Sequence, residues 1–81
     1  GELVSLTSHE FLALVCLAKK AGRVLSRDCI MDEVFGRQWS PFDRSIDVLV
    51  GKLRKKLGDD RARLIKTIRG AGYKFTPTND A

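Results

Sequence analysis

Long hydrophobic segments are missing from this sequence. The longest apolar run without a charge, residues 11–18, is far shorter than the roughly 18 residues that a membrane-spanning helix needs. Metal ligands are also scarce, because His9 is the one histidine and the two cysteines, Cys16 and Cys29, have no Cys-x-x-Cys spacing. The sequence therefore predicts no membrane contact and no metal site, and it predicts two reduced, buried thiols that suit a cytoplasmic protein.

Groupings of catalytic residues are absent as well. No serine, histidine and aspartate stand in the pattern of a hydrolase, and no Gly-x-x-x-x-Gly-Lys phosphate loop occurs. Neither cysteine has a base close to it in sequence. We expect a protein that is not an enzyme and that needs no cofactor.

Positive charge is what the chain has in excess, and it is unevenly distributed. The net charge is +5 over 81 residues, a length that makes one small domain, residues 1–81. Residues 1–42 carry five basic and five acidic side chains, whereas residues 43–74 carry ten basic and four acidic ones. This asymmetry predicts a polyanionic partner, with nucleic acid as the first candidate.

The first quarter of the chain predicts a strand followed by a helix. Residues 2–6 alternate polar and apolar side chains, as a short strand does. Thr7 and Glu10 have the spacing of a capping box, which begins a helix that runs to about Ala21, and Gly22 is its stop signal. The side chains that we expect this helix to bury are Phe11, Leu14, Val15 and Ala18.

A second, shorter helix is predicted over residues 27–35. Ser26 is its N-cap and Gly36 its stop. The link from the first helix, residues 22–25, is brief, so the two helices must cross steeply. The apolar stripe of the second helix consists of Ile30, Met31, Val34 and Phe35.

The third helix carries the clearest amphipathic pattern in the chain. Asp43 is placed to cap it and Gly58 to end it. One face is apolar at helical spacing, with Ile46, Val50, Leu53 and Leu57. The opposite face presents cations around a single valine, with Arg44, Val48, Lys52 and Lys55.

After the third helix, the spacing of apolar residues changes from a helical pattern to a strand pattern. Residues 64–69 and 73–75 are rich in strand-forming side chains and flank a Gly-Ala-Gly turn at 70–72, which predicts a hairpin. A hairpin after a basic third helix is a wing, and Arg69 lies at its tip. The predicted fold class is therefore α+β: a winged helix-turn-helix with a three-helix core and a C-terminal β-hairpin wing.

The chain resembles a known family, the C-terminal effector domains of OmpR/PhoB-type response regulators. The matching segments are LTSHEF at residues 6–11, GRVLSRD at 22–28, DRSIDV at 43–48 with LRKKL at 53–57, and IRGAGYKF at 68–75. The resemblance implies a bacterial transcription regulator that binds specific double-stranded DNA. The third helix would enter the major groove, and the wing arginine, Arg69, would reach the adjacent minor groove.

Carried over by position, the resemblance implies a set of DNA contacts. The residues that would face bases are Val48, Leu49, Gly51 and Lys52. Those that would contact phosphates are Phe35, Arg44, Arg54, Lys55, Thr67 and Tyr73. The loop after the second helix, residues 36–42, would contact RNA polymerase through Arg37, Gln38, Trp39, Ser40 and Pro41.

The family also implies partners beyond this chain. Its members bind direct repeats in promoters as tandem dimers, driven by a phosphorelay in which a sensor kinase phosphorylates an N-terminal receiver domain. Neither a receiver nor most of the family's N-terminal sheet is contained in residues 1–81. We therefore expect the isolated domain to be monomeric and to dimerise on DNA.

Several residues have a structural interpretation beside the functional one. Asp47 lies within a basic face, and its position toward the flank of Arg54 predicts a structural ion pair. Tyr73 is expected to pack its ring in the core with its hydroxyl near a phosphate. Gly51 departs from the polar or basic residues common there and costs the helix up to about 1 kcal/mol relative to alanine. Trp39 is either packed on the domain or exposed to a partner.

Two classes of function remain. The first is sequence-specific DNA binding, and the alternative is a winged-helix module for protein–protein interaction whose basic helix docks on an acidic partner. A small apolar residue, Val48, between Arg44 and Lys52 favours DNA, because its methyl groups can pack on a thymine methyl while lysine donates to guanine.

Overall fold

Three helices and three short strands form the described part of the chain. The structure is a computed structural model, and it describes residues 5–77. Residues 2–4 of the predicted first strand lie outside the described residues, and Ser5 and Leu6 are not in a strand. The elements are α1 (Ser8–Lys19), β1 (Val24–Leu25), α2 (Arg27–Phe35), α3 (Ser45–Leu57), β2 (Ile65–Ile68) and β3 (Gly72–Phe75).

The helices begin and end at local sequence signals. Thr7 and Glu10 form the predicted capping box, in which each side chain accepts from the other residue's amide. The Ser26 hydroxyl accepts from the amide of Cys29, so the second predicted cap is confirmed as well. Gly36 and Gly58 both adopt the left-handed conformation that ends a helix.

The beginning of α3 differs slightly from the prediction. Arg44 occupies the N-cap position, and its side chain makes no capping hydrogen bond. The carboxylate of Asp43, one residue earlier, accepts from the Ser45 amide at 2.9 Å instead. Hydrogen bonds from the Ser45 side chain and amide, and then the nearby Arg37, lower the pKa of Asp43. Asp43 thus still satisfies a free amide at this helix end, although from outside the cap position.

The face that α1 buries is one residue away from the predicted one. Phe11 is 56% exposed and Ala18 is exposed, so the prediction that they are buried is wrong, and Leu14 and Val15 are only half-buried. A shift of one residue turns a helix face by 100°. Apolar side chains flank both sides of this helix, which is why periodicity alone did not identify the face. The residues that it buries are Glu10, Ala13, Cys16 and Leu17.

Glu10 lies on the buried face of α1, and its carboxylate is paired there. Its side chain is 3% exposed, and its carboxylate accepts from the ammonium of Lys56 on α3 at 2.7 Å. The same ammonium donates to the carbonyl of Ser5 at 3.1 Å. A buried carboxylate is tolerated when its oxygens are paired in this way. The pair joins the start of α1 to the last turn of α3.

The strands form one sheet in the order β1-β3-β2, with both pairs antiparallel. The predicted hairpin is confirmed as β2 and β3, joined by a turn in which the Ala71 amide donates to the Ile68 carbonyl. The third strand, β1, occupies the segment predicted as a link between helices, and Leu25 pairs with Tyr73. The fold class, a winged helix-turn-helix with a three-helix core, is confirmed.

Stability of this fold should depend on pH through Glu10. Its pKa lies below the ordinary value, chiefly because Lys56 donates to the carboxylate. A carboxyl group whose pKa is lower in the folded state adds stability above its ordinary pKa, and this contribution is lost as the pH falls through the folded value. We expect Glu10→Gln to be less stable than the parent at neutral pH and to approach it below about pH 4.

Urea unfolding followed by circular dichroism at several pH values measures this difference. The matched control is Glu33→Gln, which alters an exposed glutamate outside the three ion pairs of residues 5–77. It should follow the parent at every pH. A Glu10→Gln curve that runs parallel to the parent curve into acid would contradict the expectation.

Candidate nucleic-acid interface

The outer face of α3 is a continuous basic surface. Arg44, Lys52 and Lys55 are exposed, and Val48 between them is 53% exposed although it is apolar. Gly51 lies on the same face, and a Cβ built on it would meet no other atom within 4 Å. Packing inside the domain therefore does not require glycine at this position, and its effect is to lower the surface beside Lys52.

Leu49 does not belong to this surface, so its prediction as a base-facing residue is wrong. Its side chain is 7% exposed and packs in the core. The physical reason is its place on the helix, three residues after Ile46 and four before Leu53, both of which are fully buried. The helical pattern alone would have placed Leu49 on the buried side.

The tip of the wing is the second exposed basic segment. Arg69, Gly70 and Ala71 are exposed there, and Thr67 is exposed on the strand before the turn. The two glycines of this turn, Gly70 and Gly72, are needed for different structural reasons. Gly70 has φ +75° and open space around its Cβ direction, whereas a Cβ on Gly72 would lie 2.0 Å from the carbonyl oxygen of Leu25 in β1. Close approach of β1 therefore fixes glycine at position 72.

Arg54 fastens the wing to α3. Its Nε donates to the Ile65 carbonyl at 2.9 Å, and its Nη2 donates to the Thr67 hydroxyl at 2.8 Å. Both Arg54 and Thr67 were predicted to contact phosphates. In this structure their polar groups bind each other, and the guanidinium sets the distance between the third helix and β2.

Asp47 forms a structural ion pair, but with a different partner from the predicted Arg54. Its Oδ1 accepts from Arg27 Nε at 2.7 Å and also from the hydroxyl of Tyr73. Arg27 Nη2 lies 3.4 Å from the same hydroxyl, and its guanidinium stands over the Tyr73 ring at 5.0 Å. The predicted pairing is wrong because the Arg54 guanidinium is bonded to β2. Arg27, which is twenty residues away in sequence, lies closer to Asp47.

This cluster of Arg27, Asp47 and Tyr73 accounts for two pKa shifts. Burial favours the neutral carboxyl of Asp47, but hydrogen bonds from Tyr73 and Arg27 outweigh it and lower its pKa. Burial, and then the Asp47 carboxylate, raise the pKa of Tyr73. The Tyr73 ring is buried as predicted. Its hydroxyl is bonded to Asp47, and this hydrogen bond holds the wing strand β3 against α3.

Phe35 borders an open cleft between the helices. Its ring centroid lies 4.3 Å from that of His9 at the start of α1, and the Arg37 guanidinium lies 5.6 Å from it. The cleft has a volume of about 490 Å³. Arg44, Val48 and Lys52 of the basic face line its other side. The family pattern included Phe35 in the interface, whereas no sequence signal pointed to His9.

The loop between α2 and α3 is held by its own contacts. Arg37 pairs with the Asp43 carboxylate at 3.0 Å, and the Asp43 amide donates to the Ser40 carbonyl at 2.9 Å. Trp39 is half-buried, packs against the core and donates its indole N–H to the Asp43 carbonyl at 3.0 Å, so it is packed on the domain.

The rest of this loop is open to solvent. Gln38, Ser40 and Pro41 are exposed, and Phe42 is 92% exposed, which is unusual for so large an apolar side chain. Sequence reasoning did not single out Phe42. Its position outside every periodic apolar pattern was the signal that could have identified it.

Other kinds of site receive no support from residues 5–77. No cluster of three histidine, cysteine, aspartate or glutamate side chains in this part of the chain could hold a metal ion. None of the helices described is both long and apolar enough to cross a membrane. The interface is thus built from charged, small and aromatic side chains on a helix, a hairpin and a cleft.

Comparison with known proteins places the chain among transcription regulators. The family described as transcriptional regulatory protein, C terminal, matches residues 1–75. AruR, a transcriptional regulatory protein of Pseudomonas aeruginosa, is 54% identical over 78 residues, which are 94% of this chain and 32% of AruR. CpxR of Escherichia coli K12 is 44% identical over 75 residues, 90% of this chain and 32% of CpxR. The chain therefore spans about a third of the length of these relatives.

Solved structures show the same fold. The crystal structure of the Klebsiella pneumoniae RstA DNA-binding domain in complex with the RstA box has a TM-score of 0.89 and 40% identity, covering 96% of this chain and 79% of that one. The DNA-binding domain of CpxR from E. coli has a TM-score of 0.85 and 40% identity, covering 98% of this chain and 79% of that one.

Proposed function

The chain belongs to the family of transcriptional regulatory protein C-terminal domains, and on that premise we propose that it binds specific double-stranded DNA as the effector domain of a two-component response regulator. The observation that carries the proposal is the outer face of α3, where exposed cations surround Val48 and Gly51. An α-helix fits the major groove, which is about 12 Å wide. The wing then lies beside the helix, fastened through Arg54.

The proposed base contacts are Val48, Gly51 and Lys52. Lys52 donates to the acceptors of guanine, and the Val48 methyl groups pack on the methyl of thymine. Gly51 contributes space, because nothing in the domain approaches its Cβ direction and the backbone there can come near the base edges. Glycine at an exposed helical position lowers the stability of the helix, and packing inside the domain does not require it here. A ligand that approaches the backbone closely explains its presence.

The proposed backbone contacts surround this centre. Arg44, Lys55 and the Phe35 side of the cleft lie toward phosphates, and Arg69 enters the minor groove from the wing. Arg54, Thr67 and Tyr73, which the family pattern also places at phosphates, contribute mainly by holding the wing and α3 at a fixed separation. Phosphate contacts fix the register of a protein on DNA, whereas base contacts specify the sequence.

Further partners are proposed from the longer relatives, of which this chain spans about a third. We propose that full-length relatives of this chain act in the cytoplasm, with an N-terminal receiver phosphorylated by a sensor kinase and two effector domains on a direct repeat. The loop of residues 36–42 is proposed to contact RNA polymerase. Supporting features are the exposed Phe42 and the internal bonds of Arg37 and Trp39, which present the loop in one conformation.

Removing Lys52 should weaken DNA binding at the preferred site. We expect Lys52→Ala to lower the affinity for a duplex that carries the preferred site roughly tenfold, since one base contact discriminates by about 1–3 kcal/mol. The slope of log affinity against log salt should change little, because that slope reports the number of neutralised phosphates and Lys52 is assigned to a base. Fluorescence anisotropy with a labelled duplex, selected from a random pool with the parent protein, measures both quantities.

Lys19→Ala is the matched control. It removes the same charge from a cleft lined by Leu12, Val15 and Cys16, away from the basic face of α3. Its effect should stay within roughly twofold at moderate salt, where distant charges are screened. Equal losses for both variants would mean that net charge alone holds the DNA. A parent protein that binds no duplex at low salt would overturn the proposal and favour the alternative, a protein-docking module.

A further inference from the structure

The cleft between the start of α1, the end of α2 and α3 combines cations with an aromatic wall. Arg44 and Lys52 line it from α3, and His9 lines it from α1, with its ring against Phe35 at 4.3 Å between centroids. The cleft opens on the surface that carries Val48, which the proposed function places against DNA. Its cationic lining suits a single phosphate group.

The charges that face His9 favour an anion in this cleft. From α1, the Glu10 carboxylate also lines the cleft, but it is neutralised by Lys56 at 2.7 Å. Just after α2, the Arg37 guanidinium lies over the ring of Phe35, on which His9 stacks, and it also pairs with Asp43. From α3 come Arg44 and Lys52.

His9 itself is free to bind such an anion. It is exposed, and its side chain makes no hydrogen bond to another residue within 5–77. Stacking on Phe35 restricts the ring to the wall of the cleft. Histidine is the side chain whose charge ordinarily changes between pH 5 and 8, and this chain has one.

We propose that this cleft seats one phosphate of the DNA backbone and that His9, when protonated, is a ligand of that phosphate. The inference rests on the proposed DNA binding and adds to it a contact from α1, outside the recognition helix and the wing. By linkage, a group that is protonated more readily in the complex makes binding stronger as the pH falls. DNA affinity should therefore increase in mild acid through a single identified residue.

The experiment compares untagged parent protein with His9→Gln by anisotropy on the same duplex, at constant ionic strength, from about pH 8 to pH 6. The parent should bind about two- to fivefold more tightly at the lower pH, the size expected of one exposed charge contact. Its salt slope should steepen by about 0.9, for one more phosphate neutralised. His9→Gln should match the parent at pH 8 and lack the part of both changes that depends on His9.

Two controls separate this inference from the proposed function. The α-amino group titrates in both proteins, so only the difference between them reports on His9, and equal melting temperatures show that the variant is folded. A parent that binds DNA in a Lys52-dependent way but with the same pH response as His9→Gln would overturn the role of His9 alone. A parent that binds no duplex at either pH would overturn the proposed function and the inference with it.

Discussion

Replacing Gly72 with alanine should destabilise the domain by about 2–4 kcal/mol, more than any change at the DNA-facing surface. A Cβ at this position would lie 2.0 Å from the Leu25 carbonyl oxygen and 2.9 Å from the Ser26 Cα. Both are backbone atoms, so no side chain can rotate away, and β1 must separate from β3. The residue also has φ +144°, a conformation that side chains with a Cβ rarely adopt. Overpacking and backbone strain each cost about 1–3 kcal/mol.

Gly70→Ala is the matched control for this prediction. It lies two residues earlier in the same turn with φ +75°, but nothing surrounds its Cβ direction. We expect it to cost about 1–2 kcal/mol, the strain of a left-handed conformation alone. Urea unfolding followed by circular dichroism gives both free energies. If the two variants are equally stable, close packing of β1 on the wing is not the reason that position 72 requires glycine.

Neighbouring apolar residues of α3 should respond in opposite ways to the same substitution. Leu49→Ala should lower the free energy of unfolding by about 2–4 kcal/mol, because the side chain is 7% exposed in the core and its loss leaves a cavity. Val48→Ala should change stability by no more than about 0.5 kcal/mol, because its side chain is 53% exposed. DNA affinity should show the reverse pattern.

Affinity is measured with conditions chosen so that both variants remain folded, at low temperature and without denaturant. Val48→Ala should then weaken binding to a site with thymine beneath the helix, while folded Leu49→Ala should bind nearly as the parent does. A stable Leu49→Ala protein with lost DNA affinity would mean that Leu49 faces bases after all. An unstable Val48→Ala protein would contradict its assignment to the surface.

Most of the fold could be predicted because its signals are local. The capping box at Thr7 and the glycines at positions 36 and 58 fix the helix ends through hydrogen bonds within one turn. The wing was equally visible, since its turn and strands are adjacent in sequence. By contrast, β1 has only two residues, Val24 and Leu25, and is defined by a partner strand at the other end of the chain.

The interface was less predictable because it depends on contacts between elements. The basic face of α3 follows from helical spacing, but the base-facing assignment of Leu49 came from a family pattern and conflicted with that spacing. The partner of Asp47 could not be found from its own helix, since Arg27 reaches it from α2. His9 comes beside the candidate interface because its ring stacks on Phe35 across the cleft. In each case, tertiary packing decides which side chains meet.

The pairing of β1 with β3 has a consequence for how the domain folds. The hairpin of β2 and β3 closes a short loop and can form early, whereas Leu25 and Tyr73 are separated by most of the chain. Closing that long loop costs conformational entropy, which is offset only when the helices between the two strands have packed. Completion of the wing is therefore coupled to assembly of the helical core. Backbone amides of β3 should exchange their hydrogens mainly when the whole domain unfolds.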